Sequence, residues 1–486
     1  MQIFLYSDQR LTFLMETEDN ILKLFPAKWR ATIVIISGVF LQFTLGLVYT
    51  FGNILPYLTS YLRWKVDPQQ TQGSLIWLQS LMIFRNKKVS NKTILNVIDL
   101  LAGFPFSMLT GGYLQRLIGA RWGAAFGFLL YTSSLALSYF SIQKSYFLLI
   151  VTMGLFSSFG IGVAYNCVLI QCQKWLPHRV GLVSGLVTAG FGSGAFIISP
   201  VQTKFINPEN LNVNEEGFFT QVELLERVPQ LFILLAIIFG IIQFIGLFFL
   251  ADPIISEQNE NKNESVFYDE NEEIEEEQNY QDNIYLRRPL LLLPRSSITS
   301  FHSHTSYGGI INTSTDLLNK PTAYGQTFIH NDFFLATVNS FAAATNCFSR
   351  IFWGAFADRA SYKLTMYIAC SIGASLMWTL GIIELINSQI LFFIWVCAMF
   401  SCVGATYSLI PYATHKCFGC QNFGIAYGCV QLSLFISGII TALCSQFLLN
   451  LIGFHLMFTI MAFTMIASLI FTAYLPYTFY GSSLTD

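Results

Sequence analysis

From Cys417 to Thr485 the chain runs 69 residues without a Lys, Arg, Asp or Glu. A helical crossing of a bilayer takes about 20 apolar residues, so this stretch predicts two spans folded back on each other, with the turn at Asn450 to Gly453. Charge-poor apolar runs recur at 31–55, 122–140, 146–170, 180–203, 228–250, 333–356, 364–383, 390–412, 422–449 and 452–475, each long enough to cross, and one more lies between 73 and 114. None shows the ten-residue alternation of a membrane barrel. Backbone amides left unpaired in hydrocarbon are costly, so the runs predict helices and an all-α membrane fold. The N-terminus has no signal-peptide cleavage pattern, and the first span is expected to be retained.

Basic residues between the runs predict sidedness, because cytoplasmic loops carry an excess of Lys and Arg. Lys23, Lys28 and Arg30 precede the first span, Arg116 and Arg121 follow the second, and Lys174 and Arg179 follow the fourth, so the start is expected to be cytoplasmic. Arg359 with Lys363, and His415 with Lys416, should lie on the same side. Counting crossings from Leu250 puts Arg359 outside instead. The parity fails by one helix.

An internal repeat shows where a crossing is expected. Gly111-x-x-x-Gln115-Arg116 followed by Arg121 recurs as Gly354-x-x-x-Asp358-Arg359 followed by Lys363, and Tyr165 nine residues before Lys174 recurs as Tyr407 nine residues before Lys416, at offsets of 243 and 242 residues. A constant offset with the same helix order predicts two pseudo-symmetric six-helix bundles and twelve spans. Two segments break the pattern. The second span is interrupted by Arg85-Asn86-Lys87-Lys88-Val89-Ser90-Asn91-Lys92, and 85–101 reads as an insertion. The seventh span should fall near 291–312, where Leu290 to Leu293 give way to Pro294-Arg295-Ser296-Ser297, too short and polar to cross. A retained intron with a mistaken exon in the gene model accounts for both; genuine divergence is the alternative. The expected organisation is a cytoplasmic tail (1–30), an N-terminal bundle (31–250), an acidic linker (251–330), a C-terminal bundle (331–475) and a tail (476–486).

Composition agrees with a membrane chain. It is 53% hydrophobic and 11% charged, whereas charged residues make up about a quarter of a soluble domain. The formal charge of −2 hides a segregation: Ala251 to Tyr285 holds 12 of the 28 acidic residues against one base, Lys262. That Glu-rich linker cannot bury a core and is expected to be a disordered cytoplasmic loop. Most of the ten cysteines, such as Cys167, Cys347, Cys370, Cys397 and Cys429, sit in apolar runs, where a thiol behaves as a small hydrophobe. Cys417-Phe418-Gly419-Cys420 lacks a second pair to complete a metal site, and no catalytic cluster is evident. The expectation is a non-enzyme that needs no cofactor or metal and has the lipid bilayer, not nucleic acid, as its surroundings.

On these motifs the chain resembles the major facilitator superfamily. That family's loop signature, Gly-x-x-x-Asp-Arg followed by a base, is matched at Gly354, Asp358, Arg359 and Lys363, and less fully at Gly111, Arg116 and Arg121, with Gln115 where the acid is usual. The resemblance implies a latch of the outward-open state; topology anchoring alone is the other reading of such basic loops. Physically, a carboxylate at a helix end can face the positive N-terminus of a neighbouring helix. A narrower likeness runs from Tyr165-Asn166 through Lys174-Trp175-Leu176-Pro177 to Gly190-Phe191-Gly192-Ser193-Gly194, similar to the oxalate:formate antiporter and monocarboxylate transporter branch. Gly181, Gly185, Gly190 and Gly194 offer a face for close helix packing rather than a substrate contact.

Arg350 is the leading candidate. An arginine inside a span is costly unless paired or hydrated. It stands four residues before Gly354, where the resembled transporters carry the arginine that pairs with the substrate carboxylate, and its planar fork suits that group. It is also only about 10 Å from the helix end near Ala357, at 1.5 Å per residue, within snorkelling reach. Asn346, Asn53, Tyr49 and Tyr165 complete the candidate binding set, each with helix-to-helix hydrogen bonding as its alternative role. Three departures bear on specificity. Asn346 stands where monocarboxylate transporters show an acid, Asn53 where they show a lysine, and Val430 where oxalate transporters show one. A dicarboxylate such as oxalate is therefore disfavoured. The resemblance implies secondary transport of small monocarboxylate-like anions by alternating access; a non-transporting or defective paralogue with a receptor-like role is the alternative.

Overall fold

The computed structural model describes residues 19–68, 104–211, 213–214, 218–253, 332–386, 388–443 and 449–474. The segment read as an insertion, the expected seventh span and the acidic linker beyond Pro253 lie outside the described residues. Within them the chain is helical, without a strand.

The first crossing is helix α1 (Ala27–Leu45), a 3-10 turn (Gly46–Thr50) and helix α2 (Phe51–Lys65). Helix α3 (Phe104–Ile118) leads through Gly119, at φ 85°, into α4 (Ala120–Lys144). Helix α5 (Tyr146–Lys174) includes a π-helical stretch at Ile150–Phe156. The fifth crossing breaks at Ser193 into α6 (Val180–Gly192) and α7 (Gly194–Ile206), and α8 (Val222–Phe249) closes the first half. In the second half are α9 (Asp332–Ala360), α10 (Tyr362–Ile386), α11 (Gln389–Leu443) and α12 (Leu449–Tyr474). Helix α11 is two helices joined at Gly419, whose φ of 67° only glycine adopts readily. Among the described residues six helical stretches are long and apolar enough to cross a membrane.

The turn expected at Asn450 to Gly453 is not there. Those residues lie in the first turns of α12. Asn is favoured at helix N-termini as well as in turns, and a glycine inside a membrane helix is tolerated, so the two residue types do not separate the alternatives.

Each half buries its own apolar core. Phe128, Tyr131, Phe232 and Phe239 fill the first, and Trp353, Phe392, Trp395 and Phe458 the second. Large apolar side chains such as Trp122, Leu129, Phe244 and Phe348 lie on the outside, as a hydrocarbon solvent allows. The repeat reappears as contacts between the halves. A side chain at Gly354 on α9 would collide with the Gly181 carbonyl on α6, and one at Gly112 on α3 would collide with the backbone of Gly424 on α11. These are two copies of one contact, since Gly112 and Gly354 lie 242 residues apart and Gly181 and Gly424 lie 243 apart. Beside Lys174 and Lys416, Nδ1 of His415 lies 3.2 Å from Oε1 of Gln173, two residues 242 apart and equivalent in the two halves.

Candidate functional site

Two chain breaks create the central site. A side chain at Gly46, where α1 gives way to its 3-10 turn, would collide with the Phe191 carbonyl, and one at Gly194 would collide with the Gly46 carbonyl. The first and fifth crossings therefore touch backbone to backbone where their helices are interrupted, which presents Tyr49 and the last turn of α6 to the interface between halves.

Arg350 enters that interface from α9. It is 1% exposed, among the largest fully buried side chains among the described residues. Its Nε donates to Oδ1 of Asn346 at 3.1 Å, one turn earlier, and Nη1 donates to the Thr188 carbonyl at 2.7 Å. Thr188 lies toward the C-terminal end of α6, the end whose negative dipole favours a cation. Cζ sits 4.1 Å from the Tyr407 ring centroid and 5.9 Å from that of Tyr49. A Cβ built on Gly192 would lie 2.9 Å from Cζ and 3.2 Å from both Nη1 and Nη2, which places it over the plane of the group rather than at its edge. One face of the guanidinium thus lies against Gly192, and the Tyr407 ring is in contact with the group as well.

Aromatic rings extend the wall. Phe191 packs edge-on against Tyr49 and Tyr165, both at 5.2 Å between centroids, and the Tyr427 hydroxyl reaches Tyr165 and Gln431. A guanidinium has five N–H donors, and the Asn346 and Thr188 bonds use two. Donors on Nη1 and Nη2 are left for a further acceptor, with the Tyr49 hydroxyl close by. Among the described residues no carboxylate forms an ion pair with Arg350.

The structure brings Arg350, Asn346, Tyr49 and Tyr165 together, but not Asn53. Asn53 turns toward α7, donating to the Ser199 carbonyl and Thr203 Oγ1 at 3.1 Å each and to Gln202 Oε1 at 3.3 Å. Sequence reasoning passed over the Thr188 carbonyl, Phe191, Gly192 and Tyr427. The glycine-rich string around Gly192 was visible, but packing was the only role the string itself suggested.

The loop motif forms a second constellation two turns along α9. Asp358 accepts hydrogen bonds from the backbone N–H of Gly181 at 2.8 Å and of Leu182 at 2.6 Å, capping the N-terminus of α6 across the halves. Gly354 permits the approach. In the first half, Arg116 donates to Asn422 Oδ1 on α11, while the Gln115 side-chain oxygen is buried without a partner. Gly111 packs against Val163 of α5. Arg121 donates to the Leu250 carbonyl at 2.6 Å and pairs with Asp19 at 2.6 Å, tying the end of α8 and the pre-helical segment to α4. Burial pushes the Asp19 carboxyl up, but the hydrogen bond from Arg121 and the N–H groups of Leu22 and Ile21 outweigh it and hold it below 3.8. Arg359 is exposed, and Lys363 lies 6.0 Å from the Tyr367 ring. No group of three or more His, Cys, Asp or Glu gathers to hold a metal ion among the described residues.

The sequence model of the major facilitator superfamily matches residues 39–416 and 318–479. The chain belongs to that superfamily. It is thus a multi-pass membrane transporter. It is 25% identical to apicoplast pyruvate carrier 1 of Toxoplasma gondii over 470 residues, covering 88% of this chain and 85% of the relative. To the oxalate:formate antiporter of Oxalobacter formigenes it is 23% identical over 310 residues, 63% of this chain and 64% of the relative. Among solved structures it superimposes on a proton:xylose symporter with a TM-score of 0.64 at 11% identity (93% and 96% of the two chains). For the fucose:proton symporter of E. coli the TM-score is 0.61 at 12% identity (91% and 98%). Those identities carry the fold alone.

Proposed function

We propose that this transporter moves small monocarboxylates by alternating access around Arg350. The observation that carries the reading is a fully buried guanidinium, held between the halves, with no carboxylate paired to it among the described residues and with donors left along its edge. A carboxylate offers the matching acceptor pair, and in a low-dielectric site its charge-assisted bonds are strong. The rings of Tyr49, Phe191, Tyr165 and Tyr407 around the guanidinium suit a short apolar substituent. Val430 on α11 and the turned-away Asn53 supply no second cation, which favours one carboxylate over two. The printed names of the relatives, a pyruvate carrier and an oxalate:formate antiporter, fit this class of cargo. The end bearing Asp358, Arg116 and Lys174 is read as cytoplasmic, so the capped α6–α9 contact is the closed inner gate of an outward-open state.

The test is uptake into proteoliposomes from a panel of labelled pyruvate, lactate, acetate and oxalate. Wild type takes up monocarboxylates in preference to oxalate, and Arg350→Ala abolishes uptake at unchanged membrane expression. Unchanged uptake by Arg350→Ala, or a preference for the dianion, overturns the reading.

A further inference from the structure

We infer that His415 is a cytosolic pH sensor of the inner gate: its contact with Gln173 holds the gate shut while the imidazole is neutral, and proton uptake from the cytosol opens it. The inference rests on the reading of this end as the inner gate and is independent of what Arg350 binds.

Gln173 stands next to Lys174 at the end of α5, and His415 stands next to Lys416 in α11, so equivalent positions of the repeat face each other where the two halves meet. Rocking the halves apart at this end must separate them. Nε2 of Gln173 donates to Ser184 Oγ at 2.8 Å, which turns Oε1 toward the imidazole and makes Nδ1 the donor. The buried Phe423 ring packs against the imidazole, with 6.0 Å between centroids. The charged groups around the contact are Lys416, then Lys174, which pairs with Asp252 at 2.6 Å, and Asp358, which faces Lys416 and Arg179 from α9 and is occupied at the N-terminus of α6. From Cys417 to Thr485 the chain carries no charge, so the second segment of α11 offers no counter-ion. No carboxylate pairs with the imidazole among the described residues. His415 lies past the apolar run of its crossing; burial holds it below the ordinary histidine value of 6.5, and Lys416 adds to the effect. Opening the gate returns the imidazole to water and restores its affinity for a proton. The open state therefore gains on the closed one as the pH falls through 6.5, and the gain is absent well above that value.

Val180, at the start of α6, is 1% exposed and packs into the core of the second half, so Val180→Cys reports opening of this gate. The experiment labels the full chain carrying Val180→Cys in lipid nanodiscs with maleimide and reads position 180 by mass spectrometry. Each rate is divided by that of Leu24→Cys, a position 81% exposed, which removes the pH dependence of the thiol itself. From pH 7.5 to pH 5.5 the normalised rate is expected to rise about tenfold, since one proton gives at most a factor of ten per pH unit below the histidine value. In His415→Gln, which keeps a polar side chain but cannot titrate, the rise should shrink at least threefold. Asp358 is the other titratable group at this gate, and in Asp358→Asn the rise should persist. No rise with His415 intact, a rise reduced by less than threefold in His415→Gln, or its loss in Asp358→Asn overturns the inference while leaving the gate in place. Failure of Val180→Cys to label at either pH overturns the reading of this end as a gate as well.

Discussion

The guanidinium of Arg350 lies flat against the backbone of Gly192, so close that a methyl group there would stand 2.9 Å from Cζ. The two residues come from different halves of the repeat. The Tyr407 ring centroid lies 4.1 Å from the same Cζ.

Gly192→Ala should therefore displace the guanidinium without unfolding the protein. Misplacing a binding group by about 1 Å can cost on the order of 100-fold in rate. The expected outcome is a fall in monocarboxylate uptake of at least tenfold with unchanged expression, measured as initial rates in proteoliposomes. Wild-type kinetics in this variant would show that the clearance is unimportant.

Asp358→Ala removes the cap on α6. Losing a cap costs about 1 kcal/mol, and at 1.4 kcal/mol per factor of ten the closed inner gate should lose roughly fivefold in population. Ser184 is fully buried on α6, where its hydroxyl accepts from Gln173. Maleimide labelling of Ser184→Cys should accelerate in the Asp358→Ala background by about that factor.

Gln115 occupies the place of Asp358 in the first half, beside Gly424 near the start of the second segment of α11, and its oxygen has no partner. Gln115→Glu puts a negative charge at a helix N-terminus at nearly constant volume. The variant should slow turnover by holding the gate shut, and should offset the labelling increase caused by Asp358→Ala. Labelling of the double variant at the rate of Asp358→Ala alone would refute the equivalence.

The Asp19–Arg121 pair makes a pH prediction. The folded protein holds the Asp19 carboxyl below 3.8, so the pair contributes stability above that pH, and the contribution disappears as pH falls through the folded-state value. The pair is partly exposed, and screening limits it to about 1 kcal/mol or less. Asp19→Asn should lower the thermal midpoint slightly at pH 7 and by less as the pH falls below the ordinary carboxylate range. A deficit that does not shrink on acidification would assign the effect to packing.

Hydropathy and basic-loop placement are local properties, and they made much of the architecture legible. Apolar runs marked the helices because lipid demands them. The repeat of Gly111 and Gly354 pointed to the two-bundle plan, which returns as the paired contacts of α3 with α11 and α6 with α9. Helix ends were harder to place. Val222, Glu223, Glu226 and Arg227 extend α8 beyond its apolar run, since the polar first turns of a helix carry no hydrophobic signal.

Arg350 could be singled out by sequence because charge in a span is conspicuous, and Asp358 because its motif recurs. What the guanidinium touches could not. Thr188, Gly192, Tyr49 and Tyr407 come from the first, fifth and tenth crossings, and Asn53, one turn beyond Tyr49, faces away. A run of apolar letters determines that a segment crosses the bilayer; which of its sides meets the opposite half depends on the helix breaks at Gly46 and Ser193 and on the close approach of Gly181 to Gly354. Those are distances between residues far apart in the chain, and only the packed structure decides them.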